Sequence, residues 1–203
     1  MLKNILLITF LVISFSSCSQ EKPLTHTEEI EQFQYELNVE FSDKETTPLT
    51  DKDFKKFKQL AFFPINESYK VIAEFERTED APVFEMQTST DRKPLYVQYG
   101  IAHFTLDGKK YSLRIYQNQK LLLDPEYVDY LFLPFNDLTN GNETYDAGRY
   151  LDLSIPKGNT IVIDFNKAYN PYCAYNDRYS CPIPPRENDL QVEIKAGILA
   201  FKN

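Results

Sequence analysis

The sequence contains no tryptophan and only six glycines, three cysteines and two histidines in 203 residues. With so little glycine, neither GxGxxG nor GxxxxGK[ST] occurs, which excludes phosphate-cradling loops of those two kinds. The GxSxG and HExxH motifs are also missing, so catalytic residues remain unknown. Lys and Arg are not clustered, and 22 basic residues stand against 30 acidic ones. This charge pattern argues against nucleic acid as a partner, because phosphate binding depends on clustered cations.

The first 18 residues have the layout of a bacterial lipoprotein export signal. Lys3 gives a basic start, residues 5–15 are almost wholly apolar, and two serines lead directly to Cys18. The apolar run is too short to cross a bilayer, which takes about 20 residues. Phe15 stands where leucine is usual, three residues before the cysteine. The alternative interpretation is an ordinary signal peptide with a cysteine nearby by chance.

This signal predicts the domain organisation and the location. We expect residues 1–17 to be a signal peptide, residues 18–26 to be the lipidated cysteine and a tether, and residues 27–203 to be one domain. The partner of Cys18 is then the lipid bilayer, since buried acyl chains contribute about 0.8 kcal/mol per CH₂. The expected location is the cell envelope, on the extracytoplasmic side of a membrane. The oligomeric state is left open.

The 14 tyrosines and 15 phenylalanines favour a β-rich core. Apolar residues at helical spacing predict an amphipathic helix over residues 27–41, and a second short helix is predicted over 51–60. Alternation with period two predicts the strands, and Asp107-Gly108 predicts a hairpin between two of them. The predicted strands are 69–77, 83–88, 95–106, 110–116, 129–135, 149–155, 160–165 and 190–198.

These elements predict a mainly β protein of the α+β class with one or two N-terminal helices. Short strands at close spacing favour an antiparallel β-sandwich or a barrel-like sheet. The segment from 166 to 188 has no clear periodicity but holds several prolines, tyrosines and two cysteines. We expect it to be a long ordered loop. Tyr169, Tyr172, Tyr175 and Tyr179 fall at helical spacing, but Pro171 lies inside that span, so at most one helical turn is expected there, starting near Pro171. Long ordered loops beside a β scaffold are frequent places for function.

The last third of the chain holds polar, aromatic and proline residues in a distinctive arrangement. They are 133–137 (LPFND), Thr139, Gly141, 143–145 (ETY), 148–152 (GRYLD), 164–166 (DFN), 168–171 (AYNP), 173–175 (CAY), 181–182 (CP), 184–185 (PP), 187–188 (EN) and 196–197 (AG). This pattern resembles the DUF1684 family of bacterial and archaeal proteins of unknown function, with a weaker match over 62–106 that includes Thr88 to Arg92. The resemblance implies no particular reaction, substrate or cofactor.

Cys173 and Cys181 form an even pair once Cys18 carries lipid. In an exported protein such a pair predicts a local disulfide, which in the chain-entropy model stabilises the fold by roughly 2.5 kcal/mol. Three alternatives stay open, and one of them is a pair of reduced, buried cysteines. A zinc site lacks a CxxC pair and has only His26, in the expected tether, and His103 to draw on. A reactive thiol would need His103 as its base.

Two functional hypotheses follow. The first is a binding domain for a small molecule or an envelope component, without metal or cofactor, with a polar pocket in the last third of the chain. Arg149 would offer a bidentate fork to an anionic group and the tyrosine rings would offer flat contact. The expected pocket residues are Arg149, Tyr150, Asp164, Asn166, Tyr169, Asn170, Glu187 and Asn188. Asp164 and Asn166 could instead simply hold the long loop in place.

The second hypothesis is a small hydrolase or transferase that uses carboxylates. Its candidate residues are Asp137, Glu143, Asp152, Asp164 and Glu187. Paired carboxylates run acid–base chemistry only where their environments separate their pKa values. A third reading is a structural envelope protein with no small-molecule ligand. Since Arg149 and Asp152 are three positions apart on one predicted strand, we expect them on opposite faces of the sheet.

Overall fold

A computed structural model of the protein describes residues 22–201. Seven strands form one antiparallel sheet that curls into a half-barrel, with one main helix near the N-terminus. The strands are Lys70–Arg77 (β1), Val83–Glu85 (β2), Leu95–Leu106 (β3), Lys109–Asn118 (β4), Tyr130–Phe135 (β5), Arg149–Ser154 (β6) and Thr160–Asp164 (β7). Their order in the sheet is β6-β5-β4-β3-β1-β7, and β2 pairs with β3. The predicted mainly β, barrel-like architecture is confirmed.

Helix α1 spans His26–Ser42, close to the predicted range. Thr25 and Glu28 form a capping box, in which each side chain accepts from the other residue's backbone N–H. The helix starts inside the segment expected to be a tether, and the His26 ring is nearly buried, 2.7 Å from the Asp164 carboxylate. This contact fixes the first turn of the helix to the end of β7.

The second helix, α2, is shorter than predicted and spans only Asp51–Phe54. Thr50 caps it as expected, with its hydroxyl accepting from the Asp53 backbone. The chain then leaves the helical path, and the Leu60 backbone N–H donates to the Asn38 side chain on α1 at 2.7 Å. Contact with α1 therefore replaces the helical hydrogen bond that the sequence pattern predicted.

The hairpin β3–β4 forms where Asp107-Gly108 predicts it. Both turn residues have positive φ, 49° and 75°, as a two-residue turn that follows the strand twist requires. A β-bulge between Gln98 and Gly100 shifts the register of this pair. Because a bulge inserts one extra residue, it changes which alternate residues face each side. Tyr96 therefore lies on the opposite face from Ala102 and Phe104.

The two faces of the sheet carry different side chains. One face, called the core face here, packs mainly aliphatic residues such as Leu113, Leu131 and Leu151. The other, called the aromatic face, carries Tyr96, Tyr116, Tyr130, Phe132 and Tyr150. On β5 and β6 the alternation is strict, so neighbouring residues on one strand enter different clusters.

The strand predicted over 190–198 is absent, although its alternation is real and Leu190, Ile194 and Ala196 are buried in the core. The backbone of this segment makes single hydrogen bonds with several separate segments and one isolated bridge with Phe62, but it does not pair along one neighbouring strand. Instead the carbonyl oxygens of Ile194 and Ala196 accept hydrogen bonds from the Arg149 side chain. The prediction was wrong because the buried Arg149 guanidinium binds these carbonyl oxygens in place of a neighbouring strand. The periodicity of the sequence does not indicate such a contact.

Candidate functional site

A cavity of about 430 Å³ lies between the aromatic face, helix α1 and the loop that follows β7. We call it the tyrosine cavity. Helix α1 contributes Phe33, Leu37, Glu40 and Phe41. The sheet contributes Tyr96, Tyr130, Phe132, Tyr150 and Asp152, and the loop contributes Tyr169, Asn170, Pro171, Tyr172, Tyr175, Tyr179, Ser180, Cys181 and Pro182. Leu60, Arg92, Leu121 and Ile198 complete the lining.

The sheet and the loop join through main-chain hydrogen bonds at the cavity wall. Tyr150 on β6 and Tyr169 in the loop exchange backbone hydrogen bonds of 2.9 and 3.0 Å. Their rings stand at 90° with centroids 5.9 Å apart. The Phe132 ring meets the Tyr150 ring at 75° and 4.7 Å. Edge-to-face pairs of this kind are the favoured aromatic geometry, and here they turn the rings into walls at different angles.

Asp152 is the charged group on the sheet side of the cavity. Its Oδ1 accepts hydrogen bonds from the Tyr130 and Tyr169 hydroxyls, each at 2.7 Å. Asp152 is an exposed residue, but packing against the neighbouring rings partly desolvates its carboxyl and raises its pKa, although the two hydroxyl donors act in the lowering direction. Desolvation and the charge of Asp152 likewise raise the pKa of Tyr130 and Tyr169. Both phenols therefore stay protonated and donate to the carboxylate.

Glu40 brings a second carboxylate to the cavity from helix α1. It accepts a hydrogen bond from the Tyr172 hydroxyl in the loop. Burial and this carboxylate together raise the pKa of Tyr172. The contact ties the helix to the loop, so three chain segments hold the cavity together through tyrosine–carboxylate bonds.

Asn170 has an unsatisfied acceptor at the base of the loop. The side chain is 2 % exposed, and its Nδ2 donates to the Leu199 carbonyl oxygen at 3.0 Å and to the Tyr175 hydroxyl at 3.3 Å. Within residues 22–201 nothing donates to its Oδ1. A buried acceptor without a donor costs about 1–3 kcal/mol, so such atoms are frequent where a ligand or water completes the structure.

The loop itself is ordered, as predicted. Cys173 and Cys181 are joined by a disulfide with the Cα atoms 6.1 Å apart, which confirms the preferred pairing and removes the zinc and reactive-thiol alternatives. One short 3₁₀ turn, Tyr172–Ala174, begins after Pro171 where a single turn was expected. Ser180 bonds to the Thr90 hydroxyl at 2.6 Å, which anchors the loop on the segment after β2.

Of the eight residues expected to form a polar pocket, Tyr150, Tyr169 and Asn170 line the tyrosine cavity. Arg149 lies on the core face instead. Its side chain is fully buried and forms an ion pair with Asp137 at 2.8 Å, while the Ala196 and Ile194 carbonyl oxygens accept from Nη1 and Nη2. Its Nε has no acceptor within residues 22–201. Burial lowers the pKa of the guanidinium, and Asp137 opposes that shift. Because all these bonds lie in the core, the Arg149 side chain does not line the tyrosine cavity.

The other four expected residues also lie outside the cavity. Asp164 bonds to His26, and its Oδ1 accepts from the Asn166 backbone at 3.1 Å. Asn166 exchanges hydrogen bonds with the Asn66 backbone. Asn188 is buried and bonds to the backbone of β4 and β5, and Glu187 is exposed. This arrangement fits the alternative in which Asp164 and Asn166 hold the loop in place.

The candidate carboxylates are likewise separated. Asp137 is in the buried ion pair, Glu143 lies 3.3 Å from Lys195 at the surface, and Asp152 lines the cavity. Sequence reasoning did not find Glu40, because helical periodicity draws attention to the apolar Phe41 beside it. The tyrosines at 172, 175 and 179 were noted for their spacing alone. What brings them together with Glu40 is a contact between segments about 130 positions apart.

Within residues 22–201, no helix has both the length and the hydropathy that a bilayer crossing needs. In the same range, no three His, Cys, Asp or Glu side chains are grouped so that they could hold a metal ion. Residues 1–17 and Cys18, expected to be signal peptide and lipidation site, lie outside the described residues.

Comparison with known proteins gives one family and one solved structure of note. The model of DUF1684, "Protein of unknown function", matches residues 55–198. An uncharacterized protein of Haloarcula marismortui, solved by solution NMR, is 31 % identical, with a TM-score of 0.67 over 84 % of this chain and 92 % of the archaeal one. No curated protein matches the sequence. Since the family match spans most of the chain and includes both β6 and the loop, the chain belongs to the DUF1684 family of proteins of unknown function.

Proposed function

We propose that this protein is a membrane-anchored lipoprotein of the cell envelope whose domain binds a small molecule in the tyrosine cavity. The observation that carries the proposal is the cavity itself. About 430 Å³ of space lies against aromatic rings, with a few polar groups directed from separate chain segments. Apolar cavities of this size with a few convergent polar groups are typical of small-molecule sites.

The anchor is supported by the sequence and by the start of the folded domain. Cys18 precedes the capping residue Thr25 by seven positions, and α1 begins immediately after it. At roughly 3.3–3.6 Å for each extended residue, this tether reaches about 25 Å. A lipid on Cys18 would therefore hold the domain close to the membrane surface.

Labelled palmitate tests the anchor. We expect the wild-type protein to incorporate the label and the Cys18→Ala variant to lose it. The Cys173–Cys181 disulfide is unchanged in this variant, so a loss of label reports on Cys18. Unchanged incorporation in Cys18→Ala would show that the proposed anchor is wrong.

Blocking the cavity tests the binding site. Leu121 lines the cavity, whereas the neighbouring Leu122 is partly exposed and does not. We expect a screen of sugars, amines, peptides and nucleotides to yield ligands that raise the melting temperature of the wild type. Leu121→Trp should abolish the shift and the matched Leu122→Trp should keep it. An equal shift in both variants would place binding elsewhere, and no shift from any class would contradict the proposal.

A carboxylate-dependent hydrolase or transferase is the second candidate, and one observation favours it. Glu40 and Asp152 line the same cavity, and desolvation raises the pKa of Asp152. A carboxyl with a raised pKa can serve as a general acid, a role that contributes 10²–10⁴-fold to rate. Hydrolysis of chromogenic glycosides and esters should then fall at least 100-fold in Asp152→Asn and stay unchanged in Asp107→Asn at the distant hairpin turn. Absence of turnover would leave the binding proposal alone.

A further inference from the structure

We infer that the tyrosine cavity accepts an organic cation, an amine or quaternary ammonium group attached to an apolar body. This inference rests on the proposal that the cavity binds a small molecule, and it names the chemical class. Three observations lead to it: the charges that line the cavity, the hydrogen-bonding groups left free there and the orientation of the rings.

The charged groups that line the cavity are two carboxylates and one guanidinium, so the lining is negative on balance. Glu40 and Asp152 both line it, and neither forms an ion pair within residues 22–201. Arg92 also reaches the lining but is exposed, and its guanidinium donates to the Ser180 hydroxyl at 3.0 Å and to the Ser180 carbonyl oxygen at 2.6 Å. Carboxylates beside low-dielectric walls attract a counter-charge strongly, so a cationic ligand would be favoured.

Two polar side chains that line the cavity have an acceptor to spare. The hydroxyls of Tyr130 and Tyr169 donate to Asp152, and that of Tyr150 donates to the Pro182 carbonyl oxygen. These donors are therefore taken. In contrast, Asn170 Oδ1 has no partner among the described residues, and Asp152 receives both of its hydrogen bonds on Oδ1 alone. These acceptors favour an amine, which brings N–H donors, whereas a quaternary ammonium group has none and would be held by charge and ring contacts alone.

The rings supply the remaining contact. Tyr150 stands perpendicular to Tyr169 and nearly so to Phe132, so faces and edges line the cavity from different directions. Cations are attracted to the faces of aromatic rings, and cages of such rings recognise ammonium groups. A phenol that donates its proton to a carboxylate also carries more electron density in its ring, which strengthens that attraction at Tyr130 and Tyr169.

Matched pairs of probes, equal in shape and different in charge, test the inference. We propose isothermal titration of the full chain, purified in a non-ionic polyoxyethylene detergent, with choline against 3,3-dimethylbutan-1-ol and tyramine against 2-(4-hydroxyphenyl)ethanol. The cation of each pair should bind about tenfold more tightly, the preference expected of a desolvated aromatic and acidic site. Asp152→Asn and Glu40→Gln should each reduce that preference. Both keep an oxygen that accepts from tyrosine.

Asp107→Asn is the control, since it removes one equal charge at a turn where asparagine tolerates the positive φ. It should keep the cation preference. If both members of a pair bind equally and Leu121→Trp blocks them, the cavity binds small molecules but the cationic class is wrong. If neither member of either pair binds, the inference is also wrong, and the Leu121/Leu122 comparison decides separately whether the cavity binds anything else.

Discussion

Asp137 follows β5 and Asp152 lies on the neighbouring strand β6, and the two carboxylates have different surroundings. Asp137 is buried and accepts from the Arg149 guanidinium, the Ile194 backbone and Thr139. Asp152 is exposed, forms no ion pair within residues 22–201 and uses one oxygen for two tyrosine hydroxyls. Both oxygens of Asp137 accept from protein groups, so its network is closed at the carboxylate. In contrast, Asp152 accepts on Oδ1 alone, which leaves its second oxygen as an acceptor.

Arg149 and Asp152 lie within four residues on β6. Arg149 belongs to a network that stabilises the fold, whereas Asp152 belongs to a candidate binding site. Arg149 Nε has no acceptor among the described residues, but the other bonds of this buried ion pair all go to protein atoms and hold chain segments together. Here they hold the C-terminal segment against the core face, through the carbonyl oxygens of Ile194 and Ala196. On the aromatic face of the same strand, the polar groups are incompletely hydrogen-bonded. The free-energy cost of such groups is small only where solvent or a ligand reaches them.

The largest effect is expected from breaking the closed network. Arg149→Met leaves Asp137 buried without its cation and should lower the free energy of unfolding by about 3–5 kcal/mol. Urea unfolding followed by circular dichroism measures it, since the chain has no tryptophan. The exposed control Arg186→Met should change stability by less than about 0.5 kcal/mol.

A double variant sharpens the same test. Arg149→Met combined with Asp137→Leu removes both charges, and it should recover a large part of the stability lost in the single variant. A single-variant loss below about 1 kcal/mol, or no recovery in the double variant, would show that the ion pair does not hold the C-terminal segment.

The next largest effect is expected from opening the loop over the aromatic face. Cys173→Ser with Cys181→Ser removes a crosslink between positions eight apart, which stabilises by roughly 2.5 kcal/mol in the chain-entropy model. Urea unfolding should show that loss relative to the wild type. Under reducing conditions the two proteins should become nearly equal, and a difference that persists there would assign the loss to the serines themselves.

How far the sequence predicts these two regions depends on the distance over which their contacts act. Local signals located α1, the Asp107-Gly108 hairpin and most strands, because capping, turn chemistry and alternation act over a few residues. The segment 190–198 alternates like a strand, yet its partner is the Arg149 side chain about 45 positions earlier. No local pattern reports that a carbonyl will meet a buried cation.

The candidate site shows the same limit. The prediction that Arg149 and Asp152 lie on opposite faces of the sheet is correct, since residues three positions apart on one strand face opposite sides. The alternation of side chains along a strand does not tell which face of the sheet borders a cavity, and the binding hypothesis wrongly placed Arg149 in the pocket. The cavity exists because α1 and the loop cover the aromatic face, and the bond between Glu40 and Tyr172 crosses 132 positions.

A smaller effect, opposite in sign to that of the ion pair, is expected at Asp152. Its pKa is raised from an ordinary value of 3.8, so the folded protein holds the proton more tightly than the unfolded chain. The stability this provides is complete below about pH 3.8 and is lost as pH rises through the folded-state pKa. At neutral pH, Asp152→Asn should therefore leave stability unchanged or raise it by less than about 1 kcal/mol, because solvent screens the exposed carboxylate.

Urea unfolding at intervals from pH 3 to pH 8 measures this effect. The wild type should lose stability relative to Asp152→Asn as pH rises through the acid range, and Asp137→Asn should be less stable than both at neutral pH. A neutral-pH loss of several kcal/mol in Asp152→Asn would mean that Asp152 is also part of a closed folding network, and the contrast between the two aspartates would fail.

The smallest effect is expected from Tyr169→Phe, which changes no charge and keeps the ring. The Tyr169 hydroxyl donates to the ionised Asp152 carboxylate and so favours the charged form. Its removal should raise the pKa of Asp152 further, measured by a ¹³C NMR titration of the side-chain carboxyl. Tyr35→Phe on the exposed side of α1 should leave that titration unchanged. A lowered pKa of Asp152 in Tyr169→Phe would mean that water replaces the phenol as a better donor. The cavity would then supply donors to ligands as well as acceptors. The preference for cations would lose its hydrogen-bonding basis, and only the charge of Asp152 and Glu40 would remain.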